Sequence, residues 1–299
     1  MRTNQYRKYL DPEALSRISG LELRARHVVE GYLVGIHRSP YHGLNVEFAE
    51  HRPYSPGQEL KHIDWKLWAR SDRFYVKLFE EETNVRARFL MDCSGSMGYR
   101  SGAMSKYDYG ATLAASLAHL LLMQQDAVGL AMVAGRLLGQ LPPSANPAHL
   151  RPFCRMLEEH RPAGETDLGP LPQRLADGMG RRGLVVLVSD LIAPAADVTA
   201  AVRRLRYEGH AVVLAHVVDA AEEEFPFDGR VRFEGLESGR GMVTDARQIR
   251  AAYRRSFERF CRRVESACLE LGADYLRART DRPPGAVLAR FLSGPRPGS

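Results

Sequence analysis

The sequence predicts an α/β fold: a doubly wound, mostly parallel sheet with a smaller N-terminal α+β subdomain. Three observations carry this. From about Val85 onward, apolar strand patterns alternate with helical ones, the order found in doubly wound sheets. The strand patterns include continuous apolar runs such as LVVLVS (Leu184 to Ser189), and an unbroken run means burial on both faces, as parallel sheets require. Residues 1–84 read differently, with one helical stretch and two strand-like pieces. The predicted division is therefore 1–84 for the subdomain and 85–299 for the sheet domain.

The elements follow in order. A helix is expected near Pro12 to Tyr32, then strand-like pieces at Leu44 to His51 and Phe74 to Glu80. Val85 to Met91 reads as a strand ending at Asp92, and Met104 to Gln125 as a mostly buried helix. Ala127 to Val133 and Leu137 to Leu141 are strands joined by a tight turn at Ala134-Gly135-Arg136. Helices are expected over Pro147 to Glu159, Asp167 to Arg181 and Pro194 to Tyr207, with strands at Leu184 to Ser189 and His210 to Val218. The polar, Gly- and Pro-broken segment at about 219–246 reads as a loop insertion. A long helix from Arg247 to Leu271 leads to a last strand near Asp274 to Arg279.

Composition excludes several classes. The 299 residues are 44% hydrophobic and 26% charged, which rules out a disordered or fibrous chain. The longest apolar stretch, Leu113 to Met123, is about half of what a bilayer crossing needs. The first residues, MRTNQYRKYL, lack the apolar core of a secretory signal. The four cysteines (Cys93, Cys154, Cys261, Cys268) suggest reduced thiols rather than a disulfide framework. A cytoplasmic protein without a transmembrane segment is expected.

The net charge of +6 is uneven. Residues 247–299 carry 12 basic and 5 acidic side chains, and most of the excess lies on the helix from Arg247 to Leu271. Its apolar residues, among them Tyr253, Phe257, Cys261, Val264 and Cys268, recur three or four apart, leaving Arg250, Arg254, Arg255, Arg259, Arg262 and Arg263 largely on the other side. No aromatics interleave with the arginines and no nucleic-acid motif accompanies them. A solvated face is the preferred reading over a nucleic-acid surface, and Cys261 and Cys268 are expected in the core.

Ligands of open α/β sheets bind outside the carboxyl ends of the strands. Three segments belong there: Asp92-Cys93-Ser94-Gly95-Ser96 after the first buried strand, Gly164-Glu165-Thr166-Asp167 entering a helix, and Ser189-Asp190 at the end of LVVLVS. They offer hydroxyls and carboxylates only, the oxygen environment that Mg²⁺ prefers. Hydroxyls of Ser94, Ser96 and Thr166 leave most of the ion's charge uncompensated, while Asp92 and Asp190 can hold waters and orient the serines. Such an ion keeps a position for one more anionic oxygen, which a partner's acidic side chain can fill. The plainer alternative is that Asp92 and the serines cap the following turn and helix.

These residues resemble the metal-ion-dependent adhesion site of the von Willebrand factor type A domain. The resemblance implies that Asp92, Ser94, Ser96, Thr166 and Asp190 bind Mg²⁺ or Mn²⁺. A second resemblance covers nearly the whole chain. Val46-Glu47-Phe48, Arg52, Tyr54, Pro56-Gly57, Ile63-Asp64-Trp65-Lys66, Ala69-Arg70, Tyr75-Val76-Lys77 and Phe79-Glu80-Glu81 are similar to the signature of the bacterial family called domain of unknown function 58. Members of that family are often encoded beside MoxR-type AAA+ ATPases, which implies an adaptor or partner of such an ATPase. Many relatives carry N-terminal membrane helices, and none is read in this chain.

The leading expectation is therefore a non-enzymatic, Mg²⁺-dependent protein-interaction module. Alternatives are a Mg²⁺-dependent hydrolase using metal-bound water and arginine-mediated nucleic-acid binding. Neither a Gly-x-x-x-x-Gly-Lys-Ser/Thr loop nor a Gly-x-Ser-x-Gly elbow is present. Cys93 has no histidine placed beside it by the sequence, so a nucleophile is not the preferred reading. His27, His37, His42, His51 and His62 match no zinc spacing. Trp65 and Trp68 read as a contact between subdomains, and the runs Glu80 to Glu82 and Glu222 to Glu224 as solvated, with a metal ligand among them the lesser alternative.

Overall fold

A computed structural model describes residues 11–36, 51–53, 75–77, 85–164, 182–237 and 239–293. Two compact units are present, one made of Met1–Gly35 with Val85–Ser299 and the other of Ile36–Asn84. In the smaller unit the described residues form one antiparallel pair, β1 (His51–Pro53) with β2 (Tyr75–Lys77). The expected strand start at Leu44, both tryptophans and most of the signature block fall outside the described residues.

The larger unit holds a six-stranded sheet. Its strands are β3 (Arg86–Asp92), β4 (Ala127–Ala134), β5 (Arg136–Ser144), β6 (Leu184–Ser189), β7 (Ala211–Val218) and β10 (Asp274–Arg279), in the spatial order β10-β7-β6-β3-β4-β5. All neighbours pair in parallel except β5, which runs antiparallel to β4 along the edge. That edge is where Pro142 and Pro143 are tolerated, since neither can donate to a further strand. The turn from β4 to β5 needs φ of +58° at Gly135, a conformation glycine adopts without steric cost. The continuous apolar runs of β6 and β7 are buried on both faces, as their sequences require.

Helices cover both faces. On one lie α2 (Leu21–Ile36), α3 (Lys106–Met123), α4 (Leu150–Glu159) and α8 (Pro284–Ser293). On the other lie α5 (Ala195–Tyr207) and the long α7 (Ala246–Glu270). The first helical stretch is two helices, α1 (Pro12–Ser16) and α2, separated at Arg17–Gly20. Leu15, Leu21, Ala25, Val28 and Val29 join the core formed by α3, α4 and the sheet. The helix α3 is buried almost all round, and Gly110 lets it approach the sheet: a Cβ there would meet Val188 Cγ1 at 3.0 Å and Met91 Cε at 3.2 Å. Its start is set by Ser105, whose hydroxyl accepts from the Asp108 amide at 3.0 Å.

Two regions differ from the sequence reading. Residues 219–246 hold ordered elements: a short helix, α6 (Ala220–Glu224), and a hairpin of β8 (Arg230–Glu234) with β9 (Gly241–Asp245). The helix α8 has no counterpart in the sequence reading; its Val287 and Leu288 complete the core beside α3. On α7 the expected division holds but for one arginine: Cys261, Val264 and Cys268 are buried and Arg254, Arg255, Arg259, Arg262 and Arg263 exposed, whereas Arg250 is half-buried and donates to the Phe225 and Phe227 carbonyls. All four cysteines are free and buried.

Candidate metal centre

The strand order reverses between β3 and β6, which makes the crevice at their carboxyl ends the topological switch point of the sheet. Asp92 closes β3, Ser189 closes β6, and Asp190 follows. Four of the five expected ligands, Asp92, Ser94, Ser96 and Asp190, are buried around that crevice. The fifth, Thr166, lies outside the described residues. The last described residue before it, Gly164, accepts a 2.8 Å hydrogen bond from the Gly95 amide, and the Ala163 amide donates to Cys93 O at the same distance.

Asp92 is 1% exposed, and each of its carboxylate oxygens is engaged. Oδ1 accepts from the Ser94 amide at 2.9 Å, and Oδ2 accepts from the Ser189 hydroxyl at 2.5 Å. The carboxylate thus fixes the turn that carries Ser94 and Ser96 and ties β3 to β6. Burial, with the Asp190 charge beside it, pushes the Asp92 carboxyl up to about 6. The Ser94 and Ser96 hydroxyl oxygens lie 3.1 Å apart. Adjacent ligands of an octahedral Mg²⁺ with bonds of about 2.1 Å stand about 3.0 Å apart, so the two hydroxyls fit one edge of that octahedron.

Asp190 is held by three elements. Its backbone carbonyl accepts from His216 Nε2 of β7 at 3.1 Å, its Oδ1 accepts a long 3.4 Å bond from the Ile192 amide, and its Oδ2 lies 2.7 Å from Lys106 Nζ. A carbonyl only accepts, so Nε2 carries the proton and Nδ1 accepts from the Tyr275 hydroxyl at 2.7 Å. Complete burial drives His216 down to about 3, so the ring is neutral. The next residue, Leu191, has φ of +56°, a backbone conformation a leucine rarely adopts. Its amide donates to the Ser189 hydroxyl at 2.9 Å, which helps hold it there.

Lys106 and His216 are site residues that sequence reasoning missed, and Glu222 belongs to a run it read mainly as solvated. Lys106 is fully buried on α3 and bridges Asp190 to Glu222 Oε1 at 2.6 Å. Desolvation opposes its charge, but the two carboxylates outweigh that and leave its pKa raised. Glu222 is raised by burial, against the pull of Lys106. The reading of Glu222 to Glu224 as solvated is therefore corrected for Glu222 and for Glu223, which pairs with Arg277 and Arg279 of β10; Glu224 is exposed and pairs with Arg279 at the surface. The signal available in the sequence was a lone lysine at the head of an otherwise apolar helix.

The donor set is oxygen only. Among the described residues no three His, Cys, Asp or Glu side chains gather as a metal cluster, so an ion here depends on the serine hydroxyls. Cys93 is buried, its thiol pushed up to about 12 by desolvation and the Asp92 charge, with Sγ donating to Met91 O. It is not a poised nucleophile.

A family model described as "Protein of unknown function DUF58" matches residues 50–264. The chain belongs to that family. A relative described as uncharacterized protein Rv1480, from Mycobacterium tuberculosis, is 27% identical over 298 residues, covering 97% of this chain and 92% of its own. Mb1516 of Mycobacterium bovis matches to the same extent. Among solved structures, BatB from Bacteroides thetaiotaomicron shares 19% identity at a TM-score of 0.47, over 70% of this chain and 96% of its own. An aerotolerance-related membrane protein from Bacteroides fragilis shares 20% at 0.47, over 70% and 97%. The VWA domain of SpRpn10 shares 9% at 0.40, over 69% and 94%. The strand order, with its single antiparallel edge strand, gives this DUF58 chain a von Willebrand factor A-like sheet.

The expectation of a cytoplasmic location is corrected here. Two solved neighbours, the one from Bacteroides fragilis and another from Vibrio fischeri, are described as membrane proteins. Among the described residues no helix is long and apolar enough to cross a membrane, which leaves the compartment unassigned.

Proposed function

We propose that this DUF58 protein is a Mg²⁺-dependent protein-binding module without catalytic activity. Asp92, Ser94, Ser96, Thr166 and Asp190 hold Mg²⁺ or Mn²⁺, and an acidic side chain on the partner completes the site. The observation that carries this reading is the Ser94–Ser96 hydroxyl pair, set at octahedral-edge spacing by a buried carboxylate whose own oxygens are both occupied. When bound, the ion supplies an open coordination position for an anionic oxygen. Asp92 orients the serines, His216 fixes the backbone at Asp190, and neither is free to act as a base.

The rim of the crevice supports a protein rather than a small-molecule partner. Ile192, two residues after Asp190, is 52% exposed, and Leu236, at the tip of the β8–β9 hairpin, is 55% exposed. A Cβ on Gly95 would lie 2.7 Å from the Leu236 carbonyl, so the hairpin tip sits against the metal-binding turn. Both side chains offer apolar contact area to a protein seated over the crevice. The partner implied by the family resemblance is a MoxR-type AAA+ ATPase.

The hydrolase reading gains no support from His216, the histidine bonded at Asp190, which is neutral and locked between Asp190 and Tyr275. The arginine face of α7 lies on exposed helix surface. Capture of partners from native lysate tests the proposal. Binding in Mg²⁺ that disappears in EDTA and with a folded Asp92→Ala variant is the expected result; capture unchanged by both contradicts it.

A further inference from the structure

Lysine is almost never fully buried unless paired, and Lys106 has no exposed surface. Its two carboxylate partners come from separate loops, Asp190 from the end of β6 and Glu222 from α6. The position of Glu222 is itself built. Glu222 Oε2 accepts from the Asp219 amide at 3.0 Å, and the Asp219 carboxylate accepts from the Ala221 amide at 2.9 Å, closing a capping box on α6. Asp219 is also bound by the Ser101 amide at 3.0 Å and the Thr280 hydroxyl at 3.3 Å, and Arg279 holds Glu223 and Glu224 from the far side. The Tyr99 ring faces the ammonium at 5.7 Å.

We propose that Lys106 is a tethered cation that shares Asp190 with the divalent ion and lowers the site's affinity for it, while Glu222 draws the ammonium away and limits that effect. The inference rests on the metal reading above and gives roles to residues that reading leaves unused. Two cations leaning on one buried carboxylate repel each other through a poorly screening interior. Divalent-ion affinity follows the charge count of the surrounding carboxylates, and an ammonium on Asp190 offsets one of them. Removing the ammonium leaves Asp190 and Glu222 both uncompensated, which a divalent ion relieves. Removing the Glu222 charge leaves Asp190 as the only carboxylate on the lysine, so the competition strengthens.

The two substitutions therefore act in opposite directions, which a merely structural lysine does not predict. Free Mn²⁺ is measured by electron paramagnetic resonance in titrations of the full chain, its fold checked by circular dichroism. Lys106→Met is expected to bind Mn²⁺ at least tenfold more tightly than wild type, and Glu222→Gln several-fold more weakly. Lys106→Arg, which keeps the charge, stays near wild type. A folded Lys106→Met with equal or weaker affinity overturns the inference, as does tighter binding by Glu222→Gln; if Lys106→Met does not fold, Glu222→Gln decides. Asp92→Ala separates the two levels. Binding lost in that variant, with Lys106→Met unchanged, sinks only the lysine role; binding retained in it, or seen in no protein of the set, sinks the metal reading as well.

Discussion

At the scale of single residues, His216 shows how the fold pays for a fixed site. Its ring spends both nitrogens on holding the Asp190 carbonyl and the Tyr275 hydroxyl, and burial keeps it neutral with its pKa down at about 3. The unfolded chain takes up a proton near pH 6.5 that the folded one refuses. The stability this residue contributes is therefore complete above about pH 6.5 and is lost as pH falls toward 3. Each unit is worth about 1.4 kcal/mol, so about 3 kcal/mol is gone by pH 4.5. Because the raised Asp92 carboxyl gains stability over the same interval, the difference between variants is the measure: denaturant unfolding at pH 7 and 4.5 should show wild type faring about 3 kcal/mol worse than His216→Gln, whose amide can donate and accept in the ring's place. Equal losses in the two proteins contradict the assignment. Nothing in the sequence marks His216, because a histidine in AVVLAHVV reads like any other interruption of a buried strand.

At the scale of elements, the candidate site depends on two loops lying against the turn of Ser94 to Ser96. A Cβ at Gly95 would meet the Leu236 carbonyl at 2.7 Å and the Gly164 carbonyl at 3.3 Å, both backbone atoms that cannot swing aside. Gly95→Ala should therefore displace the hairpin tip or the 164 loop, at a cost of about 1–3 kcal/mol. Thermal unfolding should register that cost, together with a smaller stabilising shift on adding Mg²⁺; wild-type values on both counts argue against the contact. The strands of the sheet were legible because burial on both faces writes itself into continuous apolar runs. The β8–β9 hairpin was not. Its five-residue strands are half exposed, and what holds them is a distant aromatic cluster: Phe225 lies 4.6 Å from Tyr253 of α7, and Phe227 lies 5.3 Å from Phe233. An isolated hairpin of that length is marginal alone, so its stability lies in tertiary contacts that no local pattern displays. The same holds for α8, a ten-residue helix whose existence rests on Val287 and Leu288 docking beside α3.

At the scale of the whole molecule, charge and site are separate. The surplus of arginine lies on the outer face of α7, while Asp92 and Asp190 lie at the switch-point crevice and Lys106, the single fully buried lysine or arginine among the described residues, pairs with Asp190 and Glu222. Replacing Arg254, Arg255 and Arg259 with glutamine should leave metal-dependent partner capture unchanged, and a loss of capture would move the docking surface to α7. Asp92, Ser94, Ser96 and Asp190 could be found from sequence because strand ends at a switch point are where open α/β sheets place ligands. Lys106 and Glu222 were harder to place, since the ion pairs that join them to Asp190 depend on how α3 and α6 pack, which the sequence does not fix. The central claim is that this crevice holds one divalent cation on serine hydroxyls oriented by Asp92. Titration calorimetry with Mg²⁺ tests it most directly: one ion per chain for wild type, and no binding by a folded Asp92→Ala variant. Absence of binding by folded wild type, or binding undiminished in Asp92→Ala, contradicts it.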